Sequence, residues 1–546
     1  MDSQFAMTAP HRLVAALGAV ALIPLRALRR SPCLRGCLCV ALVVIPRLAH
    51  GQAGALAIDI RAVAAVPGEP HAVSAAGLAA DDTPILTIEN RSAFDAAPTK
   101  RRLVLVGTDD PPAAAAIVAA VRWMKTAAPR TIRERWIASA LPLARFAPSD
   151  KQSFARWVTF QAPDLVVEVG AGGAVHLEGV PVETVPAAAT IAALRTILEG
   201  AARAISPLHE GMAARIAREP LAMARVLAAR YPETPSISYI PAVAWINTLR
   251  LAAITGDASL RDKVMEQTRP WLSGEKKMFG ERIQLTAVAG TMIFADIAAA
   301  GTSAASPHFD QAAIPLADQG AQLAAAEKAP GVALYGGGWT DDMFMASAVL
   351  ARTGRWHGRE RDLDVAARLL AAYADRLQRP DGLFKHAVDG PVAWGRGNGF
   401  AAMGLTEALT ALPPDHAGRP KILAIYRRQM AAARTHQAPD GSWREIVDDP
   451  AAYREETATA MLLTAMARGV RLGWIDRSYR LVVQRAWRAL AAHIVQDGTV
   501  IDVCTSTGAG PTHRYYFDRA AITGADDRGG AMALLASIEM GALASR

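Results

Sequence analysis

Three loop-to-helix junctions in the 546-residue chain hold residue types suited to chemistry. The first is Tyr335-Gly336-Gly337-Gly338-Trp339-Thr340-Asp341-Asp342. Glycines allow close backbone approach, and a carboxyl group at a helix start can give or take a proton. Helix capping accounts for one acid, with Thr340 or Asp341 at the N-cap and Asp342 against the positive end of the dipole. It does not account for the neighbouring Trp and three glycines. The second junction joins Leu383-Phe384-Lys385-His386 to Ala393-Trp394-Gly395-Arg396-Gly397-Asn398-Gly399-Phe400. Trp can stack on a sugar ring, and Arg can grip a carboxylate with two parallel hydrogen bonds. Glycines clearing space between them point to a ligand-facing surface. His386 taken alone reads as structural. The third is Asp440-Gly441-Ser442-Trp443-Arg444-Glu445, followed by residues 453–461. It reads equally well as a turn with a capped helix start and as a site wall.

From about residue 205 onward the pattern is helical. Amphipathic periodicity predicts ten helices over 241–255, 259–272, 283–300, 340–353, 362–377, 398–412, 419–435, 455–472, 477–493 and 526–543. Two weaker stretches lie within 208–230 and 309–326. Antiparallel helices at such regular intervals suit an α/α toroid, which carries its chemistry on the loops at one end. Residues 54–204 instead alternate strand and helix signals. Residues 102–107 (RLVLVG) and 164–170 (DLVVEVG) read as buried strands, 111–125 as a helix, and 135–146 hold another apolar run. That alternation implies an α/β domain with a largely parallel sheet. The expected organisation is a leader at 1–51, an α/β domain at 54–204 and an all-α domain at 205–546.

Composition narrows the function classes. With 51% hydrophobic residues the chain is no disordered protein. The formal charge is +8, but residues 1–51 hold six Arg and one Asp, or +5, leaving 8 − 5 = +3 for the rest. So small an excess gives no reason to expect nucleic acid. Three of four cysteines precede residue 52, so only Cys504 remains beyond it and no internal disulfide is expected there. No paired Cys/His spacing suggests a metal. Arg29-Arg30, the apolar run 37–45 and Ala49-His50-Gly51 form a secretory signal with cleavage before Gln52. The run is too short to span a bilayer, so a secreted or periplasmic protein without a membrane anchor is expected.

Together the junctions resemble glycoside hydrolase family 105, the unsaturated rhamnogalacturonyl hydrolases, and the related unsaturated glucuronyl hydrolases of family 88. The matching elements are Trp339-Thr340-Asp341-Asp342-Met343-Phe344-Met345, Trp394-Gly395-Arg396-Gly397-Asn398-Gly399-Phe400, Asp440-Gly441-Ser442-Trp443, residues 453–461 and Gly529-Gly530-Ala531 with Glu539. The resemblance implies an (α/α)6 barrel. It implies a hydrolase that removes a 4,5-unsaturated uronic acid from the non-reducing end of lyase-generated oligosaccharides, with no metal or cofactor. By that resemblance Asp341 protonates C4 and then helps activate water. Trp339 and Trp394 are sugar platforms, Arg396 and Asn398 line the site, and His386 matches an active-site histidine. An acid must be protonated when it acts, so apolar neighbours are expected around Asp341, Trp339 among them. The chain departs from the family in four places. Only residues 387–393 separate His386 from the Trp-x-Arg element, which implies a more open cleft. Phe400 stands where Trp is common, Gly336–338 replace a histidine, and 281–285 lack an expected second Asp. Two other readings stay open: a glycosidase pairing Asp341 with Glu455 or Glu456 on saturated sugars, and a non-catalytic carbohydrate-binding protein. Residues 103–110 and 164–170 also faintly resemble a zinc carboxypeptidase domain, with Thr108-Asp109-Asp110 where its metal motif would be.

Overall fold

The computed structural model describes residues 54–544 apart from 96–99, 147–150, 174, 201–203 and 301–308. The expected leader lies outside the described residues. Ile58–Arg546 cluster as one compact unit. Its first part is a six-stranded sheet: β1 (His71–Leu78), β2 (Pro84–Asn90), β3 (Arg101–Gly107), β4 (Trp136–Leu141), β5 (Leu165–Val169) and β6 (Val182–Val185). The order is β1-β2-β4-β3-β5-β6. Strands β4, β3, β5 and β6 run parallel, and β1 and β2 add an antiparallel hairpin. The central β4 and β5 are buried along their whole length, as unbroken apolar runs require. The parallel core follows the sequence expectation. The hairpin does not, because β1 (HAVSAAGL) is rich in Ala and Ser, which carry weak strand preference.

That hairpin faces the helical part. The Arg444 guanidinium donates to Ser74 Oγ at 2.7 Å, and Arg454 pairs with Glu89 at 2.6 Å. Ala75 and Leu78 of β1 pack on Ala451, with Phe517 against them. Six helices then close a ring, each against the next: Tyr239–Thr255, Met292–Ala300, Ser347–Trp356, Gly395–Ala411, Glu456–Arg471 and Asp527–Ala544. In Glu456–Arg471 every residue up to Val470 is buried, whereas the outer Glu360–Leu377 is buried along one face. The expected 283–300 helix is broken at Thr291, whose hydroxyl donates to Val288 O at 2.7 Å. Such back-bonding competes with the helical ladder. The expected 398–412 helix starts three residues earlier, at Gly395. Among the described residues no helix is long and apolar enough to cross a membrane.

The ring has two chemically different ends. The loops that enter Thr340–Met345, Gly395–Ala411 and Glu456–Arg471 converge at one end and bring the three sequence junctions there. The other end holds a cavity of about 420 Å³ lined by Arg250, Arg352, Glu407, Arg468 and Arg471 among others. There the ion pairs are continuous: Asp296 to Arg352, Arg352 to Glu407, Glu407 to Arg468, and Arg468 to Glu539.

Candidate active site

Asp341 is the first-turn carboxylate of Thr340–Met345, with its side chain 17% exposed. His386 reaches it from the second junction. Thr340 N–H donates to His386 O at 3.0 Å, which pins the two loops together. His386 Nε2 then lies 3.1 Å from Asp341 Oδ2, and Thr340 Oγ1 is 3.5 Å from the same oxygen. Asp341 Oδ1 accepts no hydrogen bond among the described residues. Trp339 is half-buried and tilts over His386 with ring centroids 5.3 Å apart.

Asp342 does different work from Asp341. Its carboxylate accepts from Gly337 N (3.2 Å), Gly338 N (2.6 Å) and Tyr373 OH (2.7 Å). A side chain at Gly336 would collide with that carboxylate, and one at Gly337 would lie 2.7 Å from the Trp339 ring. Gly338 has a φ of +84°, a conformation that glycine adopts without a steric cost. The triple glycine therefore wraps Asp342 and seats Trp339.

The glycines of the second junction also serve packing. A Cβ at Gly395 would strike Arg444 O, one at Gly397 would sit 2.7 Å from Thr340 Oγ1, and one at Gly399 would sit 2.8 Å from Met461 Sδ. These contacts let the ring helices approach closely and correct the reading that the glycines clear room for a ligand. Trp394 needs the same correction. At 1% exposure it offers no open face for a sugar to stack on. Its indole N–H donates to Glu445 Oε1 at 3.0 Å, and its ring lies 4.6 Å from His386 and 5.0 Å from the Arg396 guanidinium. It is the floor on which those two groups rest. Asn398 is also spent internally. It takes the Phe384 N–H at 2.9 Å and donates to Phe384 O and Trp394 O.

Arg396 is 3% exposed and forms no ion pair among the described residues. One of its nitrogens, Nη1, donates to Cys504 O at 2.8 Å. Burial disfavours its charge, but the surrounding acidic groups, Glu455 among them, outweigh burial and hold the guanidinium above its ordinary value. Glu445, close by, is fully buried. Burial first, then the nearby Glu455 charge, pushes its carboxyl up to about 8. It is therefore protonated through the neutral range. The third junction is thus a supporting wall. Glu455 is fully buried and caps Glu456–Arg471 through Thr457 N and Ala458 N, and Glu456 is 1% exposed. Neither is available as the paired carboxylate of a glycosidase acting with Asp341.

The raised Glu445 carboxyl has a measurable consequence. Between 4.5, its ordinary value, and about 8 the folded protein holds a proton that the unfolded chain has released. Its contribution to stability accordingly falls as pH rises through that window and is level above it. Glu445→Gln keeps an acceptor for Trp394 but cannot ionise. The melting temperature of this variant relative to wild type should rise steadily from about pH 5 to about pH 8. A constant difference would place the Glu445 proton elsewhere.

Sequence reasoning missed two aromatic contributors. Tyr239, at the start of the first ring helix, is buried, and the charges of Arg396 and Asp341 both act on its phenol. Tyr516, from the C-terminal segment, touches His386 Nδ1 at 2.9 Å. A lone Tyr leaves no spacing signal, so only the fold reveals either one. Among the described residues no group of three His, Cys, Asp or Glu is placed to hold a metal ion.

Residues 222–544 match the model of Glycosyl Hydrolase Family 88. The unsaturated rhamnogalacturonyl hydrolase YesR of Bacillus subtilis (strain 168) is 30% identical over 177 residues, which are 31% of this chain and 50% of that protein. The unsaturated 3S-rhamnoglycuronyl hydrolase of Alteromonas sp. (strain LOR) is 27% identical over 175 residues, 30% of this chain and 42% of that one. The chain thus spans half or less of the length of these relatives. A family 105 glycoside hydrolase of C. acetobutylicum ATCC 824 superposes with a TM-score of 0.53 at 18% identity, covering 60% of this chain and 100% of that one. A possible family 105 member from Salmonella enterica gives 0.52 at 18% identity, covering 64% and 97%. At that identity the likeness concerns the fold. The family match begins beyond the sheet, and the zinc carboxypeptidase likeness of the first part gains no support. With the family model matching 323 of 546 residues, this chain belongs to Glycosyl Hydrolase Family 88.

Proposed function

We propose that the protein hydrates the C4=C5 bond of a 4,5-unsaturated uronic acid at the non-reducing end of lyase-generated oligosaccharides. One observation carries this reading: a single part-exposed carboxyl group, Asp341, is held by His386, which shares the Trp394 floor with the buried Arg396. An ordinary glycosidase needs two carboxyl groups flanking the bond, and the buried Glu455 and Glu456 do not supply the second. A uronate brings its own anion, which Arg396 would meet. Trp339, at the half-buried rim, is the sugar platform that remains.

The C4=C5 bond is an enol ether. Asp341 gives a proton to C4, and positive charge develops on C5 and the ring oxygen. Water adds to C5 and returns its proton to Asp341. The hemiketal opens to a C5 ketone, and the C1 hemiacetal then expels the remaining sugar as an alcohol. His386 keeps Asp341 Oδ2 engaged throughout, so both proton transfers use Oδ1. The (α/α)6 arrangement, with the sheet as a non-catalytic part, belongs to the same reading. So does export after cleavage of the leader, for which mass spectrometry should find a mature chain beginning at Gln52.

The test is loss of the conjugated ultraviolet absorbance from a panel of unsaturated disaccharides made by pectin and glycosaminoglycan lyases. Decay on at least one member is expected. Release of sugar from saturated uronides with no decay on any unsaturated member would overturn the reading.

A further inference from the structure

His386 is held from both sides. Asp341 Oδ2 lies 3.1 Å from Nε2 and Tyr516 OH lies 2.9 Å from Nδ1. The phenol is fully buried and also receives the Gly510 N–H at 3.1 Å. With its oxygen occupied by that donor, its own proton has His386 Nδ1 as its hydrogen-bond acceptor among the described residues. Burial raises the Tyr516 phenol above its ordinary value, so it stays protonated and remains a donor. Its ring meets the imidazole edge-on at 5.6 Å, and a side chain at Gly390 would come within 2.7 Å of its hydroxyl.

The segment carrying Tyr516 is short, and the sheet fixes it. Thr512 Oγ1 caps His513–Phe517 through Tyr515 N at 3.2 Å. His513 contacts Asp449 at 2.8 Å. Phe517, the next residue, packs on Ala75 and Leu78 of β1, and Arg514 pairs with Asp82 at the hairpin tip.

Resting on the reading of Asp341 as the acid, we infer that Tyr516 is a positioning residue, braced by the β1–β2 hairpin. It holds His386 as the Nε2–H tautomer. In that form His386 donates to Asp341 Oδ2 and leaves Oδ1 as the oxygen that carries the proton. A neutral imidazole has one donor and one acceptor nitrogen, and the partner of one nitrogen sets the role of the other. Without Tyr516 the ring can reverse its tautomer and present a bare Nε2 to Asp341. The acid's proton would then be drawn to Oδ2, away from the substrate.

Four proteins test this: wild type, Tyr516→Phe, Asp341→Asn and His386→Gln. On a turned-over unsaturated disaccharide, Tyr516→Phe should lose about 10- to 100-fold in kcat with KM within about twofold of wild type. Nitrogen-15 spectra of histidine-labelled protein, with His386 assigned by its loss in His386→Gln, should show Nε2–H in wild type and a changed tautomer in Tyr516→Phe. Wild-type protein carrying its proton on Nδ1 would overturn the proposal even if Tyr516→Phe failed to fold. So would a kcat equal to wild type in Tyr516→Phe, or a loss of kcat with the tautomer unchanged. These outcomes leave the function standing as long as Asp341→Asn is inactive. An active Asp341→Asn would instead overturn the reading on which the proposal rests.

Discussion

Asp341→Asn should lower kcat on an unsaturated uronyl disaccharide by about 10³-fold or more, with KM and melting temperature close to wild type. The change removes one ionisable proton and almost no volume. The amide still accepts from His386 through its oxygen, so the loop contact at 3.1 Å persists. The side chain is part-exposed, so no buried group is left unpaired. What disappears is the capacity to give a proton to C4, and no second carboxyl group is placed to replace it. The neighbouring residue supplies the contrast. Asp342→Asn would disturb a carboxylate that takes two glycine N–H groups and the Tyr373 hydroxyl. It should lower stability as well as activity, because Trp339 rides on that loop. Absorbance assays paired with thermal melts separate the two. An Asp341→Asn enzyme within tenfold of wild type would remove Asp341 from the chemistry.

Arg468→Met should be the most destabilising conservative-volume change in the ring, at about 3–5 kcal/mol near neutral pH. Arg468 is 5% exposed and bridges Glu407 at 2.8 Å and Glu539 at 3.0 Å. Burial opposes ionisation of both carboxyl groups, yet the surrounding arginines win and hold each down to about 2. Removing one arginine leaves two buried carboxylates short of charge. Arg352 still faces Glu407, and Arg471 and Arg250 still face Glu539, which favours the lower end of the range. The sign with pH follows from the depressed values. The stabilisation is fully present above about 4.5 and is lost as pH falls toward 2. The gap between Arg468→Met and wild type in urea denaturation should therefore narrow in acid. A gap below about 1 kcal/mol at pH 7 would show the network to be neutral in sum.

The sequence was most legible where periodicity or a capped start marked an element. The helix Arg419–Thr435 begins and ends where expected, and Glu456–Arg471 differs by one residue at each end. Asp341 and His386, 45 residues apart, do meet. Misreadings came where one residue type serves two purposes. Glycine beside Trp and Arg suggested an open ligand face, but at Gly395, Gly397 and Gly399 the missing Cβ admits a neighbouring loop or helix. Trp394 has the residue type of a platform and the burial of a floor. The β1–β2 hairpin was invisible because Ala and Ser form strands only when tertiary packing demands it. Tyr516 was invisible because its partner lies 130 residues away.

Turnover in heavy water, followed by proton NMR, tests the central claim most directly. Hydration places one solvent deuteron on C4 as the vinyl signal disappears, and sugar is released in step with that loss. Both events are expected of wild type, and neither of Asp341→Asn. Release of sugar while the vinyl proton remains would mean direct attack at C1, and hydration by Asp341 would be contradicted.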